Sequence, residues 1–258
     1  MEFQGSRGGV RPIPRQRVLD RLDGYLNRRD LAAARRHLLY WLEEARAGGD
    51  LRGELLIRNE LVGHYRKAGE REPALEHAAA ALDLVDRLGL GDDVGAAATY
   101  VNAATAMNAF GENVRALELF ERAKALYEAG DAAPELLGGL YNNMALACAA
   151  LGRFDEARAL YAKALSRMAG APHGELECAI TCLNLADLER AELGMEAAEG
   201  RVYALADRAV ALLDDPKLVR DGYYAFVCEK CAPTLEYYGY FDDARRLKEE
   251  AERIYAGA

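Results

Sequence analysis

The side chains with the most chemical potential in this 258-residue chain are five cysteines, four histidines and a recurring asparagine. Cys228 and Cys231 form a CxxC, and Cys178 and Cys182 a CxxxC upstream of it. A redox dithiol with CxxC spacing sits at the start of a helix beside a β-strand, and no strand signal accompanies this one. Zinc needs two ligands beyond the CxxC, which the upstream pair would have to supply. The odd number of cysteines makes no disulfide framework and fits buried thiols in a reducing compartment. His37, His64, His77 and His173 are far apart and lack partner spacing. No Gly-rich phosphate loop, Ser/His/Asp set or paired catalytic carboxylate stands out, so the chain reads as a non-enzyme without cofactor or metal. The asparagines raise a different possibility. Asn142 and Asn143 sit together in LYNNMALACAALG (140–152), an apolar run that otherwise reads as a helix. Asparagine is a mediocre helix former. Its amide offers a donor and an acceptor at once, which suits the backbone of an extended peptide.

The elements that must position these groups are helices. Ala, Leu, Glu and Arg dominate, and alternating runs of β-branched residues are missing, so the expected fold class is all-α. The chain is 51% hydrophobic and 29% charged, with a formal net charge of -9. That balance disfavours nucleic acid and anionic membrane as bulk partners. No stretch approaches the ~20 apolar residues of a membrane helix. Residues 1–14, rich in Gly, Arg and Pro and without an apolar signal-peptide core, are expected to be a flexible leader, and cytoplasm is the default location.

Self-similarity organises the rest. LGRFDEARALYAKAL (151–165), FGENVRALELFERAKAL (110–126), AGEREPALEHAAAAL (68–82) and YGYFDDARRLKEEAERI (238–254) each open on a glycine, followed about five residues later by an alanine. The glycines Gly69, Gly111, Gly152, Gly194 and Gly239 recur about every 41 to 45 residues. A fixed period of this size signals a helical-hairpin solenoid. Glycine ends the first helix because it enters the left-handed region cheaply, and alanine lets two helices approach closely.

These residues resemble the tetratricopeptide repeat (TPR). The matching positions are Ala145, Gly152, Ala157, Tyr161 and Ala164 in repeat four, and Ala104, Gly111, Ala116, Phe120 and Ala123 in repeat three. Repeat two supplies Tyr65, Gly69, Ala74, Ala78 and Ala81, and repeat six Ala232, Gly239, Ala244 and Ala251. Repeat one departs from the pattern, with Arg29 where the turn glycine should stand, and repeat five carries about four extra residues after Gly194. The resemblance implies a right-handed superhelical solenoid of about six hairpins over residues 15–257, with repeats near 15–48, 55–88, 97–130, 138–171, 179–216 and 224–257. The long period is similar to that of kinesin light chains and Gram-positive peptide-pheromone receptors. With repeat one starting near Arg15, no effector region is expected ahead of it.

In this frame Asn102, Asn143 and Asn184 share the sixth position of their first helices, and Asn59 falls at the fifth or sixth. The resemblance implies that first helices line a concave groove, and that asparagines there hold the backbone of a bound peptide. Arg66, Thr105, Asn108, Asp187, Arg190 and Lys230 are further groove candidates, a mixture that suits a ligand with a negative end. The alternative is that the asparagines bond to the neighbouring hairpin and only fix the superhelix. The lysine–asparagine–arginine clamp of some family members is absent, since Val101, Gly139 and Asn143 stand at its positions. The frame puts Cys182 and Cys231 at packing positions. Pro233, inside the last repeat's first helix, is expected to bend it. The expected function is a protein- or peptide-binding scaffold, with a monomer or weak homodimer as the solution state. The competing readings are a regulatory receptor for a small peptide or metabolite, and a solenoid that self-assembles through its ends.

Overall fold

The computed structural model describes residues 10–130 and 132–257. Among them are twelve α-helices and no strand. The helices are α1 (Arg15–Asn27), α2 (Leu31–Gly48), α3 (Leu51–Lys67), α4 (Arg71–Arg87), α5 (Val94–Ala109), α6 (Asn113–Ala129), α7 (Pro134–Ala150), α8 (Phe154–Met168), α9 (Gly174–Leu193), α10 (Met195–Leu213), α11 (Gly222–Tyr237) and α12 (Phe241–Ala256). Two compact units divide the chain, Met1–Ala106 and Met107–Ala258.

Tight turns make the hairpins. Gly69, Gly111, Gly152 and Gly239 have φ between 73° and 89°, the left-handed region that L side chains avoid. At each, the glycine N–H donates to the carbonyl three residues back and the next N–H to the carbonyl five back, as in Gly69 to Arg66 and Glu70 to Tyr65. The last turn of the first helix is thereby satisfied without water. Arg29 performs the same turn at φ 54, with the same pair of bonds to Leu26 and Tyr25. The first hairpin is therefore closed like the others, on a residue that adopts the conformation at a cost. Gly194 is different. It joins α9 directly to α10 with extended ψ (159°), which accommodates the longer helices of this hairpin.

In unit 1, α1 packs on α2, α2 on α3 and α3 on α4. Ala34, Ala74 and Ala78 are fully buried at the close approaches. Residues 1–9 of the expected leader lie outside the described residues. Residues 10–14 run beside the end of α2, where the Arg11 N–H donates to Gly48 O and the Ile13 N–H to Asp50 Oδ2, both at 2.9 Å. Asp50 also caps α3 by accepting from the Gly53 N–H, so one buried carboxylate fastens the incoming chain to the α2–α3 turn.

In unit 2, α7 packs on α8, α9 on α10 and α11 on α12, with α9 also against α7 and α11. Tyr161 packs with Ala145 and Ala157 in one buried cluster. The largest core joins α9 to α12 and contains Cys182, Cys228 and Cys231 among Leu176, Tyr224, Leu235 and Leu247. Pro233 lies inside α11, which runs through it.

Candidate ligand-binding surface

Unit 1 brings two of the predicted asparagines together. Asn59 on α3 donates from Nδ2 to the hydroxyl of Thr99 on α5 at 2.9 Å and to Leu55 O at 3.1 Å. Its Oδ1 accepts from Asn102 Nδ2 at 3.4 Å. Both amides border a concavity of about 350 Å³ that also takes in Leu55, Leu56, Glu60 and Ala98. Thr105 spends its hydroxyl on Val101 O, one turn back. Arg66 is partly buried, which draws its guanidinium below its ordinary pKa.

Unit 2 repeats the arrangement with a residue that the repeat frame passed over. Asn142, not Asn143, is the buried member of the doublet, 4% exposed. Its Oδ1 accepts from Asn184 Nδ2 at 3.2 Å and lies 3.2 Å from the Thr181 hydroxyl, which also points at Glu177 O. Asn143 is half-buried and meets no hydrogen-bond partner among the described residues. The two braces follow one rule: an asparagine at the fifth frame position meets a Thr and an Asn, spaced TxxN, in the next repeat. TYVN (99–102) and TCLN (181–184) are the sequence signal that marks them. At the fifth position, repeats three and five carry Val101 and Leu183, which have no amide to offer.

The remaining predicted residues of unit 2 divide. Asp187 accepts from the Tyr238 hydroxyl at 2.6 Å, and Arg190 donates to the same hydroxyl at 3.3 Å while its guanidinium covers the Tyr237 ring. Burial and the Asp187 bond push the Tyr238 phenol up, so it stays a neutral donor. Lys230 is exposed on α11 one turn after Phe226. Asn108 has a buried Oδ1 that meets no donor among the described residues. The larger concavity of unit 2, about 470 Å³, is lined by α6 and α8 over Met144 and Cys148 and contains none of the predicted groove residues.

The cysteines are all free and buried. Burial pushes Cys178 and Cys228 up to about 11 and Cys231 up to about 12, far from the thiolate that redox chemistry requires. Among the described residues no three His, Cys, Asp or Glu side chains are grouped to hold a metal ion, and no helix is long and apolar enough to cross a membrane.

No family model matches the sequence, and no curated protein matches it. Solved structures do resemble it. BtubC (BKLC) from P. vanneervenii is 20% identical, with 90% of this chain and 91% of that chain covered and a TM-score of 0.55. NprR in complex with its cognate peptide NprX is 15% identical with a TM-score of 0.61, and the match spans 91% of this chain but only 65% of NprR. TPR-like repeats of a Podosopora anserina kinesin light chain are 19% identical, with 78% and 93% covered and a TM-score of 0.50. Likeness at such identities speaks for the fold alone.

Proposed function

We infer that this chain, whose fold is the TPR-type helical repeat, is a non-catalytic scaffold that holds an extended peptide segment of a partner protein on its first-helix surfaces. The observation that carries this reading is Asn143. An amide on a first helix, half-buried and with neither its oxygen nor its nitrogen engaged among the described residues, is suited to the N–H and C=O of a peptide backbone. Asn102 and Asn184 add one N–H each that meets no acceptor among the described residues, since each brace uses a single hydrogen of theirs. NprR, a protein of similar fold crystallised with a peptide, supports the reading by analogy.

The test uses peptides that the immobilised chain selects from a random library, with affinity and thermal unfolding measured together. Asn143→Ala removes up to two hydrogen bonds of roughly 0.5–1.5 kcal/mol each, which weakens binding about two-fold to a hundred-fold. The Tm stays within a few degrees, because the side chain makes no hydrogen bond among the described residues for the alanine to remove. Undiminished affinity in this variant, or no peptide selected at all, sinks the reading.

A further inference from the structure

We propose that the α1–α2 seam of unit 1 carries a second docking surface, in which Arg21 and Arg28, gathered on the Tyr25 ring, take carboxylates from a short acidic segment of a partner protein. This surface is separate from the one that carries Asn59 and Asn102, and it does not depend on the peptide-binding reading of Asn143.

Residues 15–48 contain eight arginines against five carboxylates, in a chain whose formal net charge is -9. Arg17, Arg21 and Arg28 stand at i, i+4 and i+11, which places them on one exposed face of α1 and its C-cap. Asp23, whose charge reaches Glu60 on α3, lies on a different face. Helix stability does not ask for this pattern, because Arg17 sits in the first turn, where the macrodipole favours acids. Tyr25 gathers two of the cations: Arg21 Cζ lies 5.1 Å and Arg28 Cζ 5.6 Å from its ring centroid. Arg21 also donates from Nε to the Tyr25 hydroxyl at 3.1 Å, which orients its guanidinium and leaves both terminal nitrogens to donate. Arg28 folds back along α1, with Nη1 3.8 Å from where a Cβ on Gly24 would stand. Two positive groups on one ring repel each other, and among the described residues neither forms an ion pair. The nearby carboxylates are engaged elsewhere: Asp20 accepts from Gln16, Asp30 from the Ala33 N–H, and Glu43 lies 3.1 Å from Arg46. Glu44 stands two turns along α2 from His37, the residue whose ring meets Tyr25 at 5.6 Å. From His37 the aromatic contacts continue through Trp41 to Tyr40, which is exposed, and Arg36 beside them is exposed and without an ion pair among the described residues. A carboxylate placed across Arg21 and Arg28 accepts charge-assisted hydrogen bonds from two planar forks and relieves their repulsion. From Arg17 to Arg28 the face spans about 17 Å at the rise of a helix, the reach of about five extended residues. A short acidic stretch matches that length, whereas a nucleic acid or an anionic bilayer continues past it against a chain of net negative charge.

The experiment measures binding of dye-labelled, amidated hexaglutamate to the full chain by fluorescence anisotropy at low salt. Hexaglutamine with the same label, an oligothymidylate and phosphatidylserine vesicles are the comparison probes. Hexaglutamate is expected to bind and hexaglutamine not. Arg21→Gln with Arg28→Gln is expected to weaken hexaglutamate about ten-fold or more, through the loss of two charge-assisted contacts. Arg245→Gln with Arg253→Gln, which removes the same charge from α12, is expected to weaken it less than about two-fold. Asn143→Ala is expected to leave it unchanged, so failure of the peptide-binding reading and failure of this one are told apart. Equal losses in the two double variants mean that net charge alone is read, and overturn the assignment. Hexaglutamate that fails to bind, or that binds the Arg21 and Arg28 variant as tightly as wild type, overturns it too. Tighter binding of oligothymidylate or of vesicles, lost in that same variant, gives the face to nucleic acid or membrane instead. If that variant melts lower than wild type, Arg17→Gln with Arg36→Gln takes its place. Those two side chains have no hydrogen bond or ion pair to lose among the described residues, and hexaglutamate must then weaken several-fold or the proposal falls.

Discussion

Asn142 and Asn143 are adjacent in sequence but differ in what they touch, and the difference is measurable. Asn142 is buried, and its oxygen serves both Asn184 and Thr181. Asn142→Ala takes the acceptor from the Asn184 N–H, while the Thr181 hydroxyl keeps Glu177 O, at a cost of about 1–3 kcal/mol in urea unfolding. Asn143→Ala should leave the urea midpoint unchanged, and equal losses in the two variants would show that the doublet braces as a pair. At the same scale, His77 ties unit 1 to pH. Its ring stacks on Tyr65, and its Nδ1 lies 3.1 Å from Arg58 Nη1. Burial and the charge of Arg58, with a smaller push from Arg46, hold it below its ordinary pKa against the pull of Glu76. Glu54, bonded to Arg58, completes the cluster. The folded state thus binds this proton less readily than the unfolded chain, whose histidine titrates near about 6.5. Stability from His77 is intact above that value and is lost as pH falls below it. Glu60 and Glu177, held up by burial, act in the opposite sense, so the comparison must be differential. The drop in urea midpoint between pH 7.5 and 5.5 should be larger in wild type than in His77→Gln, and equal drops would clear His77.

The hairpin turn is where element and residue type are most tightly linked. Four of the turns place glycine in the left-handed region, and Arg29 occupies it without the exemption that glycine enjoys. Arg29→Gly should therefore raise the urea midpoint, by an amount near ~1 kcal/mol, because the backbone strain it relieves exceeds the extra freedom glycine has when unfolded. A lower midpoint would show that contacts of the arginine side chain outweigh the strain. This coupling explains why the helices were legible in the sequence. The rule that permits glycine and alanine at the turn and the close approach is steric, and each reports its own surroundings. The asparagine braces were not legible in the same way, because the bonded partners stand 39 to 43 residues apart and at different frame positions, five against six. Aligning equal positions grouped Asn143 with Asn102 and Asn184 and passed over Asn142. Asp187 and Arg190 were named from the sequence, but their contact was not, because Tyr238 lies in the turn after α11, outside any helix register.

Across the whole molecule the thiols offer a readout that needs no ligand. All five are buried, and those of the α9–α12 core are protonated at any pH near neutrality. At pH 8 the native protein should react with iodoacetamide only through opening of its core, so labelling should accelerate with urea in step with loss of helical signal. A fast phase in native buffer would show that Cys148 or Cys178, which lie outside that core, is reached without unfolding. The two asparagine braces have a further consequence, which concerns descent. Asn142 follows Asn59 by 83 positions, while Thr181 and Asn184 follow Thr99 and Asn102 by 82 each. The chemistry thus recurs at twice the interval of the helices, as if the heritable block were a pair of hairpins. A gene that gains or loses hairpins in twos keeps every such asparagine beside its TxxN. One that changes by a single hairpin leaves a buried amide opposite valine or leucine, which selection against unpaired polar groups would remove.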